Sequence, residues 1–287
     1  MSGMKKILVT GATGFIGEYV IKELLQNNCR VIATSAHREK AKNRSWFPVV
    51  EYSSFDLSAF EEHTNYYEFF GRPDAMIHLA WEGLPNYTAS FHIDHNLPQQ
   101  FAFLENLVQH GLPDLTVTGT CFEYGMKNGC LEEGMNAEPA NAYAIAKNEL
   151  QKRLATLSLQ TPFCLKWVRL FYMYGKGQSA NSLISQLDQA LENNEPEFKM
   201  SGGEQVRDFL PVETVAKYIV HIALQQKIIG IINCCSGKPV KIKAFVEQYL
   251  KQQHKQIHLH LGYYAYPSHE PMEFWGDDNK LKQALNA

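Results

Sequence analysis

Nothing in the 287-residue sequence approaches the roughly 18 consecutive apolar residues that a membrane-spanning helix needs. The apolar run nearest the start, Ile7-Leu8-Val9, stops at Thr10-Gly11, too short for the core of a secretion signal. These absences predict a cytoplasmic protein with no membrane partner. Cysteine is sparse. The six thiols (Cys29, Cys121, Cys130, Cys164, Cys234 and Cys235) include no CxxC pair, which predicts reduced cysteines, no disulfide and no metal. His254, His258 and His260 sit in a polar stretch expected at the surface, so they do not alter the metal expectation. Charge of neither sign dominates: 27 Lys and Arg stand against 30 Asp and Glu, a net charge of −3. With no basic field to attract nucleic acid, an anionic ligand must be held by a local site. No internal repeat, low-complexity tract or Pro/Gly/Ser linker is present.

What is present is an ordinary globular composition. A hydrophobic share of 45%, a charged share of 20% and a mean hydropathy of −0.29 exclude disorder, collagen and coiled coil. The first half alternates short β-rich runs with longer helical stretches, the pattern of a parallel sheet covered on both faces. Strands are predicted at Lys5 to Thr10, Arg30 to Thr34, Val49 to Ser53, Ala75 to Ala80, Leu115 to Gly119 and Phe163 to Leu170, with a seventh around Gly230 to Cys234. The clearest helices are Phe15 to Asn27, Ser90 to His110 and Ala142 to Leu159, each with apolar residues near the 3.6-residue period.

The expected fold is therefore α/β, a doubly wound parallel sheet of about seven strands with a smaller C-terminal substrate lobe. The first domain spans 1–170 and also receives 211–236, while 171–210 and 237–287 form the lobe. A ligand cleft is expected between the two. Tyr263, Tyr264 and Tyr266 are expected to pack the lobe rather than stack on nucleic acid.

Thr10-Gly11-Ala12-Thr13-Gly14-Phe15-Ile16-Gly17 follows the first strand and opens the first helix, as a dinucleotide loop requires. Gly11 permits the tight turn, Gly14 lets backbone N–H groups approach a pyrophosphate, and Gly17 allows close packing. An acid that would bind a free ribose 2′-hydroxyl belongs about 20 residues on, and none is there. From Leu24 to Arg38 the chain has no Asp or Glu. The second strand instead runs into Ser35, His37, Arg38 and Lys40, a setting suited to a 2′-phosphate. NADP(H) is the expected cofactor, with NAD(H) the alternative.

Tyr143 and Lys147 lie four apart at the start of a helix and share one face. A tyrosine of ordinary pKa, about 10, is a poor acid or base at neutral pH, and a nearby ammonium is expected to lower it. Thr120, just beyond the fifth strand, falls where parallel sheets present ligands.

With these residues the chain resembles the extended short-chain dehydrogenase/reductases, the NAD-dependent epimerase/dehydratase family, over its whole length. The resemblance is carried by Thr10 to Gly17, Asp56-Leu57, His78-Leu79-Ala80, Thr120 with Tyr124-Gly125, Tyr143 with Lys147, Arg169 to Gly175, and Arg207-Asp208-Phe209. It implies a Rossmann fold and a catalytic triad of Thr120, Tyr143 and Lys147. It also implies Asp56 on the adenine amine, Leu57 over the ring, and a cofactor surface completed by Thr13, Phe15, Ile16, Leu79, Ala80 and Trp81. Nucleotide-sugar substrates, an Arg207 grip on their diphosphate and a homodimer built on the helices Ser90 to His110 and Ala142 to Leu159 follow from the same likeness. Trp81, Tyr87, Tyr172 and Asn181 are the remaining candidates for substrate contact.

Two departures stand out. Tyr172 occupies a position where many members carry asparagine, and Cys121-Phe122 stand where sugar dehydratases carry Asp-Glu. Glu123 is one position late, which in an extended segment would turn it to the opposite face. The stretches Thr118 to Gly125 and Phe171 to Gln178 are most similar to dTDP-4-dehydro-6-deoxyglucose reductases and dTDP-6-deoxy-talose dehydrogenases. The implied activity is NADPH-dependent reduction of a nucleotide-linked 4-keto-6-deoxyhexose. A C4 epimerase and a non-catalytic NADP-binding regulator are the rival readings.

Overall fold

In the computed structural model, residues 4–267 and 270–287 are described. Seven strands form one sheet: β1 (Lys6–Thr10), β2 (Arg30–Ser35), β3 (Glu51–Ser54), β4 (Ala75–His78), β5 (Asp114–Thr120), β6 (Cys164–Leu170) and β7 (Gly230–Cys234). Their order is β7-β6-β5-β4-β1-β2-β3, and every neighbouring pair is parallel. β4 and β5 are buried along their entire length, as strands covered on both faces must be. The strand order reverses between β1 and β4, which is where an open α/β sheet binds ligands.

The principal helices are α1 (Phe15–Gln26), α2 (Leu97–Gln109), α3 (Ala142–Gln160), α4 (Leu183–Glu192), α5 (Val212–Leu224) and α6 (Ile242–Gln252). α1 and α5 bury one face of the sheet around Val20, Ile21, Val215 and Ile219. α2 and α3 bury the other around Phe103, Leu107, Leu150 and Leu154. α3 is started by Asn141, whose side chain accepts from the Ala144 N–H at 2.9 Å, a cap typical of asparagine.

A separate core joins α4 and α6 through Leu187, Phe198, Phe245 and Val246. Short two-stranded pairs link this region to the sheet's carboxyl end: Tyr172–Tyr174 with Phe209–Pro211, and Val206–Arg207 with Val240–Lys241. Gly129–Leu131 also leaves the first segment to pair with Phe274–Gly276.

Three expectations are corrected. The helix predicted over Ser90 to His110 is divided: a π-helical turn, His92–Asn96, precedes α2. β4 ends at His78 rather than Ala80, because the Leu79 and Ala80 N–H groups turn toward the Thr10 hydroxyl. Tyr263, Tyr264 and Tyr266 lie on the lobe's surface rather than inside its core, the Tyr266 phenol over Gly202. They are 49%, 55% and 40% exposed, and Tyr263 meets Lys199 and His260 at the surface. His258 and His260 lie in a strand beside Glu197–Lys199, with His260 bonded to Glu197.

Candidate active site

The glycine loop is built on close backbone approach. A Cβ on Gly11, whose φ is +65°, would lie 2.9 Å from the Ala80 nitrogen, and one on Gly17 would lie 2.4 Å from the Gly11 oxygen. Gly17 therefore lets α1 begin against its own loop rather than against the strand. Gly14 caps α1 with no side-chain hydrogen bond, so the first helical N–H groups stay directed at the loop, where the helix dipole favours an anion.

Two cavities meet at this loop and share Gly11 as a wall. The first, about 170 Å³, is lined by Ser35, Asp56, Leu57, Ala80 and Trp81. The second, about 390 Å³, is lined by Phe15, Ile16, Gly17, Leu79, Thr120, Tyr143, Tyr87 and Tyr172. A loop with no room for a Cβ at Gly11 or Gly17 and a helix start without a side-chain cap fit a dinucleotide's pyrophosphate. Asp56 and Leu57 in the first cavity fit an adenine there. The Asp56 carboxyl is held below its usual pKa by hydrogen bonds from the Ser58 N–H and hydroxyl.

Thr120 ends β5 and caps a 3-10 turn, Cys121–Tyr124. Its hydroxyl accepts from the Phe122 N–H at 3.3 Å and touches the Tyr143 phenol. Tyr143 is buried between Trp81, Tyr87 and His92, with ring centroids 5.9, 5.6 and 5.5 Å away. Its own N–H donates to the Tyr87 carbonyl at 3.0 Å. Lys147, one turn on, is buried and donates to the Thr118 carbonyl at 2.8 Å. Its ammonium lies 4.1 Å from the centre of the Trp81 ring.

The expected lowering of the phenol is overturned. Burial pushes the Tyr143 pKa up, with the charge of Glu123 adding to it, so the phenol holds its proton. Lys147 is instead the group brought toward neutrality, to about 7, because burial outweighs the attraction of Glu123.

Glu123 does stand apart from the cavity, for a different reason than an extended-strand alternation. The turn is 3-10, and its carboxylate folds inward as the second half of a capping box, accepting from the Thr120 N–H at 2.8 Å. It also accepts from the Trp167 indole at 3.0 Å and Arg169 at 2.7 Å. The residues facing the cavity after Thr120 are Cys121 and Phe122, and burial pushes the Cys121 thiol up.

The remaining expected site residues fall outside the two cavities. Arg38 is exposed and makes no ion pair among the described residues. Thr13 and Gly14 lie at the mouth of the loop, and Asn181 is exposed just before α4. Arg207 is 1% exposed and pairs with Glu270 at 2.8 Å, and Tyr172 donates to the same carboxylate at 2.6 Å. The cation expected to grip a diphosphate is thus held by a carboxylate of the same chain.

Several contacts lack a sequence signature. Arg44 donates to the Thr13 carbonyl at 2.6 Å and lies 3.7 Å from Glu18, placing a guanidinium beside the glycine loop. Met173, Gln178 and Ser179 complete the second cavity from the far side. His78 is fully buried, contacts the Thr10 hydroxyl at 2.8 Å and Gln100 at 2.6 Å, and is kept neutral by burial, its pKa lowered to about 3.

A model of the NAD dependent epimerase/dehydratase family matches residues 7–235. The chain is 28% identical over 271 residues to dTDP-6-deoxy-L-talose 4-dehydrogenase (NAD(+)) of Aggregatibacter actinomycetemcomitans, covering 94% of this chain and 98% of the relative. Among solved structures it resembles a UDP-N-acetylglucosamine 4-epimerase from Methanobrevibacter ruminantium M1. That match has a TM-score of 0.84 and 21% identity, over 98% of this chain and 92% of the other. A UDP-glucuronic acid 4-epimerase from Bacillus cereus, solved with UDP-glucuronic acid and NAD, aligns with a TM-score of 0.81 and 22% identity, over 98% and 93% of the two chains.

Proposed function

The chain belongs to the NAD dependent epimerase/dehydratase family, the extended short-chain dehydrogenase/reductases, and from that premise we propose that it reduces the C4 ketone of a nucleotide-linked 4-keto-6-deoxyhexose. One observation carries the reading. Thr120 and Tyr143 face one cavity with Lys147 buried behind them, while the positions where dehydration would need an acid and a base hold Cys121 and Phe122.

A bound nicotinamide supplies the hydride. Tyr143, protonated because it is buried, donates its proton to the oxygen that the reduction leaves negative. The Thr120 hydroxyl has its lone pair engaged by the Phe122 N–H and keeps its own proton to stabilise the same oxygen. Lys147, fixed by the Thr118 carbonyl, holds the nicotinamide ribose and offsets the developing charge. Tyr87 and Tyr172 offer ring faces to the sugar, and Arg207 reaches the diphosphate by exchanging Glu270 for it.

The cofactor is a nicotinamide dinucleotide, and we assign a preference for NADPH. Support comes from the acid-free stretch Leu24 to Arg38, the exposed Arg38 and the Ser35 hydroxyl on the wall of the first cavity. The name of the talose relative gives NAD(+) instead, so both cofactors belong in the assay. A homodimer through α2, the turn before it and α3 is proposed as well, since Ile93 and Ile145 stand 36% and 40% exposed there.

The second reading is a C4 epimerase, favoured by the 4-epimerase names among the structural matches. Incubation with dTDP-4-keto-6-deoxyglucose and NADPH or NADH separates the two: net oxidation of the cofactor is the reductase outcome.

A further inference from the structure

We propose that Trp81 and His92 are positioning residues for Lys147: His92 locks the Trp81 indole so that its face lies on the lysine ammonium and holds that ammonium charged. The inference rests on the catalytic role given to Lys147 above.

A buried ammonium needs compensation for the water it has lost. The Thr118 carbonyl is its one hydrogen-bond acceptor among the described residues. The charged or titratable groups around it are Tyr143 on its own helix, His78 at the end of β4 and Glu123 from the turn after β5. His78 is neutral, and the Glu123 carboxylate is already spent on Thr120, Trp167 and Arg169. The Trp81 ring, 4.1 Å from Nζ to centroid, supplies a second stabilising contact, and tryptophan is the strongest cation–π partner.

The ring does not hold that pose alone. Its Nε1–H donates to His92 Nδ1 at 3.1 Å, and Asn96 Nδ2 donates to the same nitrogen at 3.2 Å. Two donors converge on Nδ1, so the His92 proton sits on Nε2, which donates to the Asn86 carbonyl at 2.8 Å. Asn96 is anchored in turn on the Glu82 carbonyl at 3.0 Å. His92 and Asn96 bound the π-helical turn that interrupts the predicted helix. The wider turn brings both side chains inward beneath the indole. Such turns recur at functional sites, and this one has a mechanical use, fixing the His92 ring as the indole's acceptor.

The test titrates Lys147 by NMR in cofactor-free protein labelled with [ε-13C]lysine, the signal being identified by its loss in Lys147→Met. Trp81→Leu keeps an apolar cover and removes the π face. It is expected to lower the Lys147 midpoint by about one pH unit, a tenfold change in the protonation equilibrium. Trp81→Phe keeps a face and should stay within about 0.3 unit of wild type, while His92→Phe frees the indole and should lower the midpoint by about half a unit.

In turnover, the alkaline limb of kcat for Trp81→Leu should fall by the same unit. A Trp81→Leu midpoint equal to wild type, or a Trp81→Phe loss as large as that of Trp81→Leu, overturns the proposal. If Trp81→Leu does not fold, a His92→Phe midpoint at the wild-type position overturns it. The titration uses no substrate, so its outcome stands apart from whether a 4-keto sugar is turned over.

Discussion

At the scale of single residues, the candidate site pairs a phenol that keeps its proton with a lysine that is close to losing one. Tyr143→Phe removes only the transferable proton and keeps the ring that packs on Trp81, Tyr87 and His92. Steady-state kinetics should show kcat lowered at least about 100-fold, with cofactor affinity within about threefold of wild type. Retained turnover would move the proton donor elsewhere. Lys147 makes a prediction about stability. In the unfolded chain its amine titrates near 10.4, whereas in the folded protein burial brings it to about 7.

Between those values the unfolded chain holds a proton that the folded chain lacks. Wild type should therefore lose stability relative to Lys147→Met as pH falls from about 10 to about 7, by roughly 1.4 kcal/mol per pH unit, and level off below. Denaturant melts across that range check the slope, and a constant difference would mean that the buried amine keeps its ordinary affinity for protons. That Tyr143, Lys147 and Thr120 come together was legible in the sequence because four-residue spacing and a strand end are local facts. The direction of the Tyr143 shift was not, because it comes from burial by Trp81, Tyr87 and His92, which the stretch after β4 folds against α3 from far earlier in the chain.

At the scale of elements, the loop between β1 and α1 is the part that tolerates least. In an exposed helix, Gly→Ala stabilises by about 1 kcal/mol. At Gly17 the new methyl would lie 2.4 Å from the Gly11 oxygen and 2.8 Å from that of Ala12, both backbone atoms. Gly17→Ala should reverse the usual sign, costing about 1–3 kcal/mol in thermal melting and weakening dinucleotide binding at least tenfold by isothermal titration. A variant as stable as wild type and unchanged in binding would show that the loop has room to shift. The strands of the parallel sheet and this loop could be read from apolar periodicity and glycine placement. The break at His92–Asn96 could not, since His, Asp and Asn in one helical turn carry no mark of a π turn and the reason for it lies across space, in Trp81 and Glu82. The 3-10 turn after β5 was hidden likewise: its capping box is written in Thr120 and Glu123, yet the partners that draw Glu123 inward, Trp167 and Arg169, come from β6.

At the scale of the whole molecule, α2 and α3 leave Ile93 and Ile145 at the surface, and light scattering at micromolar concentration should give twice the 32.7 kDa chain mass. A monomer would refute the proposed dimer. Cofactor choice is also global, since Ser35 from β2 and Gly11 from the glycine loop line one cavity while Arg38 stands exposed in the segment after β2. Arg38→Glu should raise the KM for NADPH at least tenfold and that for NADH less than threefold, whereas equal losses would remove Arg38 from 2′-phosphate recognition. The smaller lobe was the least legible part. Arg207 was found by its motif, but its pairing with Glu270 joins residues 63 positions apart with no periodic pattern between them. The central claim concerns reaction type, and one measurement bears on it most directly: purified protein mixed with dTDP-4-keto-6-deoxyglucose and a reduced nicotinamide, followed at 340 nm with the sugar product analysed. Stoichiometric oxidation of the cofactor, with formation of a dTDP-6-deoxyhexose, is the predicted result. Interconversion of UDP-sugars at C4 with no net change in cofactor, together with no cofactor oxidation by the 4-keto sugar, would contradict it.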